Sequence, residues 1–334
     1  MNDSSRSLLD ETGVVVIGRN EGDRLRRCLD SLRQASCTII YVDSGSADDS
    51  IGLAVRAGAD VVALDMTTAF TAARARNAGF HRLMQLRPQA RYVQFVDGDC
   101  EVVDDWLETA TAFLAKNVGV ACVCGRLRER YPERSIYNRL CDAEWDRVAG
   151  EVDACGGIAL IRTEPFIRAN GFREDLIGGE EPELCSRIRS TGLTIWRLES
   201  PMAWHDAAML RFGQWWMRSK RTGYGYAQAL WIGGARAQPA QTRRASSSWI
   251  WAGLVPALIG AGLLLIGWPA LVALALYPIQ VIRVATRVSG STQLRLERGF
   301  FLVLGRFPEL VGQLQFFRSA RRVSRSAPTF DYKA

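Results

Sequence analysis

The sequence predicts an α/β domain over its first three-fifths, followed by helices that enter a membrane. Three observations carry this. Short apolar runs alternate with helix-period segments from residue 13 to about residue 100. Aspartates stand where those runs end. Trp249 to Ile282 holds no charged residue across 34 positions. Alternation of strands and helices gives βαβ units and a parallel sheet. An uncharged run of that length exceeds the roughly 20 residues needed to cross a hydrocarbon core. Hydrophobic content of 48% with 23% charged residues excludes a mainly disordered chain.

Taken in order, residues 1–12 are expected to be flexible, and the polar Met1–Glu11 lacks the apolar core of a signal peptide. Val14 to Ile17, bounded by Gly13 and Gly18, reads as a buried strand. After Arg19, Asn20 and Glu21, a helix follows with Leu25, Cys28, Leu29 and Leu32 on one face. Thr38 to Val42 is the next strand and ends at Asp43. Ile51–Ala57 is a helix, Ala59–Leu64 a strand and Ala69–Leu86 a helix. Tyr92 to Val96 is a fourth strand, ending at Asp97-Gly-Asp99. In open α/β sheets a ligand sits beyond the carboxyl ends of the strands, where Asp43, Asp97 and Asp99 fall. That placement suggests a nucleotide or phosphate ligand.

The charge is divided. Residues 1–206 hold 25 basic and 32 acidic side chains, a net of −7, whereas residues 207–334 hold 17 basic and 3 acidic ones, a net of +14. Such asymmetry points to nucleic acid or an anionic membrane. The 34-residue uncharged stretch lies in the basic part and favours the membrane, with no nucleic-acid partner expected. Residues 208–232 mix Arg and Lys with Phe and Trp, which suits an amphipathic interfacial helix or a helix packed on the preceding domain. Residues 233–248 read as a polar linker. Residues 249–288 read as a transmembrane hairpin turning at Gly267–Pro269, with a single tilted span as the other reading. Arg243 and Arg244 before it, and Arg283 and Arg287 after it, place both ends in the cytoplasm by the positive-inside rule. Residues 289–334 read as an interfacial helix over Gly299–Arg322 and a basic tail. The eight cysteines are scattered without a C-x-x-C pair, and two histidines are few for a zinc set, so free buried thiols are expected.

Asp97 and Asp99 flank one glycine at a strand end. Paired carboxylates there suit a hard cation such as Mg²⁺ or Mn²⁺, which binds through one or two carboxylates plus substrate phosphates. Six segments now carry a resemblance. They are Val15–Glu21, Val42–Asp48, Ala73–Gly79, Val96–Asp99, Gly178–Cys185 and Trp204–His205, in that order. Over about residues 13–206 the chain resembles a family 2 glycosyltransferase of the GT-A fold. The likeness is to membrane-attached bacterial members that act in polysaccharide or glycoconjugate assembly.

The resemblance implies a Rossmann-like nucleotide-sugar-binding domain at 13–207. It implies that Gly18, Arg19, Asn20, Glu21 and Asp43 contact the nucleotide, and that Arg76, Asn77 and Asp97 lie near its ribose and phosphates. It implies Asp99, with Asp97 and His205, for the Mg²⁺ or Mn²⁺. Gly178–Glu183 matches the segment of the catalytic base, where Glu181 stands for the usual Asp; Glu180 and Glu183 compete with it. Gly156, Gly157 and Trp145 would line the acceptor side. The expected reaction is an inverting transfer from a nucleotide-sugar, with a UDP-sugar favoured, to a hydroxyl of a lipid-linked or glycan acceptor. Membrane lipids would be partners, and the catalytic domain would lie on the cytoplasmic side of the inner membrane. Single addition is favoured, because Gln214–Arg218 departs from the Q-x-x-R-W pattern of processive synthases. Two alternatives are a sugar-1-phosphate nucleotidyltransferase and a non-catalytic membrane adaptor.

Overall fold

The computed structural model of the chain describes residues 8–33, 37–233 and 239–322. The expected flexible start at residues 1–7, residues 234–238 of the expected linker, and the expected basic tail at 323–334 lie outside the described residues. The chain divides into two compact units. Among the described residues, the first comprises 8–33, 37–132, 141–175 and 180–208, and the second 133–140, 176–179, 209–233 and 239–322.

The first unit opens with the predicted alternation. Strand β1 (Thr12–Gly18) leads to helix α1 (Asp23–Ser31), β2 (Thr38–Asp43), α2 (Ser50–Arg56), β3 (Asp60–Ala63), α3 (Ala72–Leu86) and β4 (Tyr92–Asp97). Helix α3 starts where the Thr71 side chain accepts a hydrogen bond from the Arg74 amide, a threonine N-cap. Strands β3, β2, β1 and β4 are parallel neighbours in that order. Val14, Val15, Val16, Ile40, Val42, Val93 and Val96 are fully buried, as strands covered on both faces must be.

Beyond β4 the sheet departs from the parallel expectation. The following elements are β5 (Cys100–Val102), α4 (Trp106–Lys116), β6 (Val120–Glu129), α5 (Ile136–Trp145), β7 (Gly150–Glu151), β8 (Ala159–Arg162), α6 (Thr163–Arg168), α7 (Glu180–Arg189) and β9 (Thr194–His205). The order continues β4-β8-β6-β9-β5, with β7 also on β9. Strand β8 is antiparallel to β4 and β6, and β5 and β7 are antiparallel to β9. The sheet becomes mixed where β8, reached much later in the chain, runs against β4 with Tyr92 opposite Arg162 and Phe95 opposite Ala159. The architecture is α/β, with helices following at the C-terminus, as the sequence predicts.

The second unit is helical. Its elements are α8 (Phe212–Gly233), α9 (Pro239–Ser248), a π-helical stretch (Trp249–Leu254), α10 (Val255–Ile266), a 3₁₀ stretch (Trp268–Ala275), α11 (Leu276–Ala285), α12 (Thr292–Leu304) and α13 (Arg306–Arg322). Residues 239–248 are therefore helical where a linker was expected. Gly267, at φ +72°, breaks the helix at the expected turn. On either side, Gln241–Ile266 (26 residues) and Trp268–Ala285 (18 residues) are long and apolar enough to cross a membrane. Large apolar side chains stand exposed there, Leu264 at 89% and Trp268 at 78%.

Two expectations for this unit change. Trp215 of α8 is buried, with its ring 4.9 Å from Phe301 and 6.4 Å from Tyr137, so it packs inside the unit instead of at headgroup depth. Trp231, near the other end of α8, is exposed. The stretch read as one interfacial helix is two, α12 and α13. Helix α13 packs on α8, with Tyr224, Ala227 and Phe316 in a small core of their own.

Candidate active site

The ends of β1 and β2 are tied into one rim. The Asn20 amide donates to Ser46 Oγ (2.9 Å), Asn20 Oδ1 accepts from the Ala47 amide (2.6 Å), and the Gly22 amide donates to Asp48 Oδ2 (3.1 Å). Asn20 holds φ +55°, a conformation that asparagine tolerates better than most residues. The Ser44 amide donates to the Gly18 carbonyl (3.0 Å). Buried Asp43 shapes the adjoining loop: Oδ2 accepts from the amides of Gly45 (3.0 Å) and Ser46 (2.8 Å), and Oδ1 accepts from the Tyr41 hydroxyl (3.1 Å). Glu21 pairs with Arg24 at 2.6 Å, and Arg19 sits beside it on the same loop.

A buried ion triad lies at the end of β4. Arg76, on α3 and 3% exposed, donates from Nη2 to Asp97 Oδ1 (2.9 Å) and from Nη1 to Glu180 Oε1 (2.7 Å). Burial works against the guanidinium charge, but Asp97 and Glu180 outweigh it and raise the Arg76 pKa above its ordinary value. Gly157 faces this triad. A Cβ there would meet Arg76 Nη2 at 2.9 Å and Asp97 Oδ2 at 3.2 Å, so a side chain would crowd both charges. Asn77, the next residue on α3, is used differently. Its Nδ2 donates to the Phe172 carbonyl (2.8 Å) and Glu174 Oε1 (2.9 Å), and its Oδ1 accepts from the Phe172 amide (3.0 Å). Asn77 thus braces the loop before α7 and stands apart from the ion triad.

The second cluster is made by strand pairing. Cys100 of β5 lies opposite His205 of β9, and the Asp206 amide donates to the Asp99 carbonyl (3.0 Å). Residues far apart in sequence thereby place His205 Nε2 3.4 Å from Asp99 Oδ2. His205 Nδ1 lies 3.7 Å from Oε2 of Glu129, which is 1% exposed at the end of β6. Burial opposes protonation of His205, yet Asp99, Glu129 and Asp97 together raise its pKa. The Trp145 ring meets the imidazole edge-on, 4.7 Å between centroids. Behind it, Arg27 holds Asp206 (2.9 Å) and Glu101 (2.8 Å).

A carboxylate and an imidazole, with a buried acid facing the second ring nitrogen, fit a divalent cation. The outer acid sets the tautomer of a ligating histidine. Asp99, Cys100 and His205 could each offer one ligand atom within 4.8 Å of the others. Burial, with Asp99 and Asp97 nearby, pushes the Cys100 thiol well up, so it is a poor ligand for a hard ion.

Of the three acids that open α7, each has its own neighbours. Glu180 belongs to the Arg76 triad, and Glu183 pairs with Arg187 at 2.6 Å. Glu181 is buried, with Oε1 accepting from the Cys155 amide and from Cys185 Sγ (3.2 Å). It therefore lies against the turn that continues into Gly156 and Gly157, with Gly156 at φ +89°. All eight cysteines are free thiols and seven are buried, as expected from their placement. Burial pushes Cys122 and Cys124 up to about 12.

The structure thus gathers Arg76, Asp97, Glu180 and Gly157 into one cluster, and Asp99, His205 and Trp145 into another two residues along the chain. Sequence reasoning missed Glu129 and the Cys155–Cys185 pair. Glu129 left one signal, a charged residue closing an alternating apolar strand. A separate cavity of about 730 Å³, lined by Asn77, Phe80, Phe166, Phe172 and others, includes none of Asp97, Asp99 or His205.

Residues 13–167 match the family described as "Glycosyl transferase family 2", and residues 143–211 match the "N-terminal domain of galactosyltransferase". An uncharacterized glycosyltransferase of Rickettsia conorii is 34% identical over 58 residues, 17% of this chain and 21% of that protein. The chain thus spans about a fifth of the length of this curated relative. Among solved structures, a mycobacterial protein aligns at 20% identity and a TM-score of 0.49, over 70% of this chain and 78% of that one. Glucosyl-3-phosphoglycerate synthase from Mycobacterium tuberculosis, solved with Mn²⁺, uridine diphosphate and glucosyl-3-phosphoglycerate, aligns at 18% identity and a TM-score of 0.48, over 70% of this chain and 82% of that one.

Proposed function

We propose that the region 13–167, which matches family 2 glycosyl transferases and sits on a mixed α/β sheet, carries out an inverting, metal-dependent transfer of a sugar from a nucleotide-sugar to an acceptor hydroxyl. A UDP-sugar is the favoured donor, and a lipid-linked or polysaccharide molecule the acceptor. The family sets aside the nucleotidyltransferase and adaptor readings. One observation carries the proposal: the Asp99–His205 pair and the Arg76–Asp97–Glu180 triad adjoin at the end of β4, beyond the rim formed by β1 and β2.

Asp99 and His205 would hold the Mg²⁺ or Mn²⁺, which when bound offsets charge developing on the departing diphosphate. Glu129 keeps the His205 ring oriented toward Asp99. The rim of Gly18 to Glu21 and Asp43 frames the base and ribose. Arg76 fixes Asp97 beside the ribose. Glu180 is already engaged by the buried Arg76 guanidinium. Glu181 carries no such cation among its hydrogen-bond partners, which favours it as the acceptor of the hydroxyl proton. Gly156, Gly157 and Trp145 border the acceptor side. Single addition is favoured by the departure of Gln214–Arg218 from the processive pattern, the paired apolar helices favour membrane attachment, and the flanking arginines favour the cytoplasmic side of the inner membrane for the catalytic unit.

The test is release of nucleoside diphosphate by the full-length protein in detergent, screened against UDP- and GDP-sugars with Mn²⁺ or Mg²⁺. Asp99→Asn and Glu181→Gln should each lower transfer by about 10²–10⁴-fold, with circular dichroism unchanged. Full transfer by either variant would overturn the corresponding assignment.

A further inference from the structure

Cys155 and Cys185 come from separate parts of the first unit. Cys155 sits in the turn before β8, and Cys185 lies one helical turn beyond Glu181 on α7, a spacing that puts both α7 side chains on one face. The two sulfurs are 3.6 Å apart, and Cys185 Sγ is 3.2 Å from Glu181 Oε1. One ligand atom from each of the three residues lies within 4.8 Å of the others. All three side chains are buried, with Cys155 at 4%, Cys185 at 1% and Glu181 at 8% exposure. Two thiolates on one tetrahedral zinc, each about 2.3 Å from it, stand about 3.8 Å apart. The observed sulfur separation is close to that value.

We propose that Cys155, Cys185 and Glu181 form a site for a thiophilic divalent cation, Zn²⁺ above all, separate from the Asp99–His205 position. Binding replaces two S–H bonds with two metal–thiolate bonds and releases two protons to solvent. The two thiolates and the Glu181 carboxylate offset the charge of the ion, and water fills the fourth position. Sulfur ligands select Zn²⁺ over Mg²⁺ and Mn²⁺, which prefer oxygen. This position therefore discriminates against Mg²⁺ and Mn²⁺. The site stands on geometry alone. Its consequence, that Zn²⁺ engages the base and stops transfer, rests on the role proposed above for Glu181.

Cobalt tests the site, because thiolate ligation gives Co²⁺ a near-ultraviolet charge-transfer absorption that oxygen and nitrogen ligands do not. The reduced full-length protein in detergent is titrated with Co²⁺. The band should saturate at one equivalent, disappear on adding Zn²⁺, and persist in Asp99→Asn and Cys100→Ser. It should be lost from Cys155→Ser and from Cys185→Ser. No band in the unmodified protein overturns the proposal, whatever the folding of the variants. So does a band that depends on Cys100 instead of Cys185, or a Cys155–Cys185 disulfide that resists reductant. Zn²⁺ added at constant Mn²⁺ should lower transfer at least tenfold. A cobalt band at this site without zinc inhibition would leave the site standing and remove Glu181 from the base role.

Discussion

Arg76 sits where burial and charge oppose each other. It is nearly inaccessible, and two carboxylates on different elements depend on it. Arg76→Met would leave Asp97 and Glu180 facing one another without a cation, at a cost of about 3–5 kcal/mol for breaking a buried pair. Thermal unfolding in detergent should show this loss, and Arg76→Lys should restore part of it, since lysine keeps the charge but not the two-pronged fork. Glu129 offers a second test. Glu129→Gln removes the charge that faces His205 Nδ1, and Mn²⁺ affinity should fall about 10–100-fold, measured by titration. At this scale the sequence reveals acids that end apolar strands, because strand ends are where ligands lie. Asp97 and Asp99 are of that kind. It does not reveal that Asn77 turns to a neighbouring loop, nor that Cys155 meets Cys185, because both follow from packing between elements that no local spacing encodes.

Between elements, α8 and α13 pack backbone to backbone at two glycines. A Cβ on Gly223 would lie 2.0 Å from the Glu309 carbonyl oxygen, and one on Gly312 would lie 2.0 Å from the Lys220 carbonyl oxygen. Backbone cannot yield as a side chain can. Either glycine changed to alanine should force the helices apart and cost about 1–3 kcal/mol, read as a lower melting temperature in detergent. In the first unit, Arg82 of α3 grips Asp60 of β3 through two bonds of 2.7 and 2.8 Å. The hydrogen bonds from Arg82 hold the Asp60 carboxyl below its usual range. Such a solvent-screened surface pair contributes little. Because the folded pKa is depressed, that stability is present above the unfolded carboxylate value near pH 4 and is lost as pH falls through the folded value. The stability gap between Asp60→Asn and the unmodified protein should therefore close in acid, as denaturant titrations at several pH values would show. The β1–β4 elements were readable because apolar runs and helix periods alternate there. The antiparallel β8 and the three-residue β5 were not, since their direction is set by pairing partners far along the chain.

Over the whole molecule, an acidic region precedes a basic helical one with an uncharged 34-residue stretch inside it. If that stretch is a hairpin with both ends facing the cytoplasm, a green fluorescent protein fused after Ala285 should fluoresce, and alkaline phosphatase inserted at Gly267 should be active. Inactive phosphatase at Gly267 would favour a single span. The break at Gly267 was readable from Gly267-Trp-Pro269, but the helical state of residues 239–248 was not, because Ser and Gln there look like a linker until the flanking helix continues through them.

The two arms of the hairpin differ in residue count, and the 3₁₀ stretch of Trp268–Ala275 changes what that difference means. As pure α-helix, the 18-residue arm would reach only about 27 Å. With its eight 3₁₀ residues each rising about 2.0 Å, the same arm reaches about 31 Å. Winding tighter makes the short arm tall enough for a hydrocarbon layer of about 30 Å without a single added residue. If both arms cross a membrane, the 26-residue arm, about 39 Å long as α-helix, would instead lean or extend beyond that layer. In such a hairpin a thicker bilayer would be felt first by the arm after Gly267, which has no length to spare.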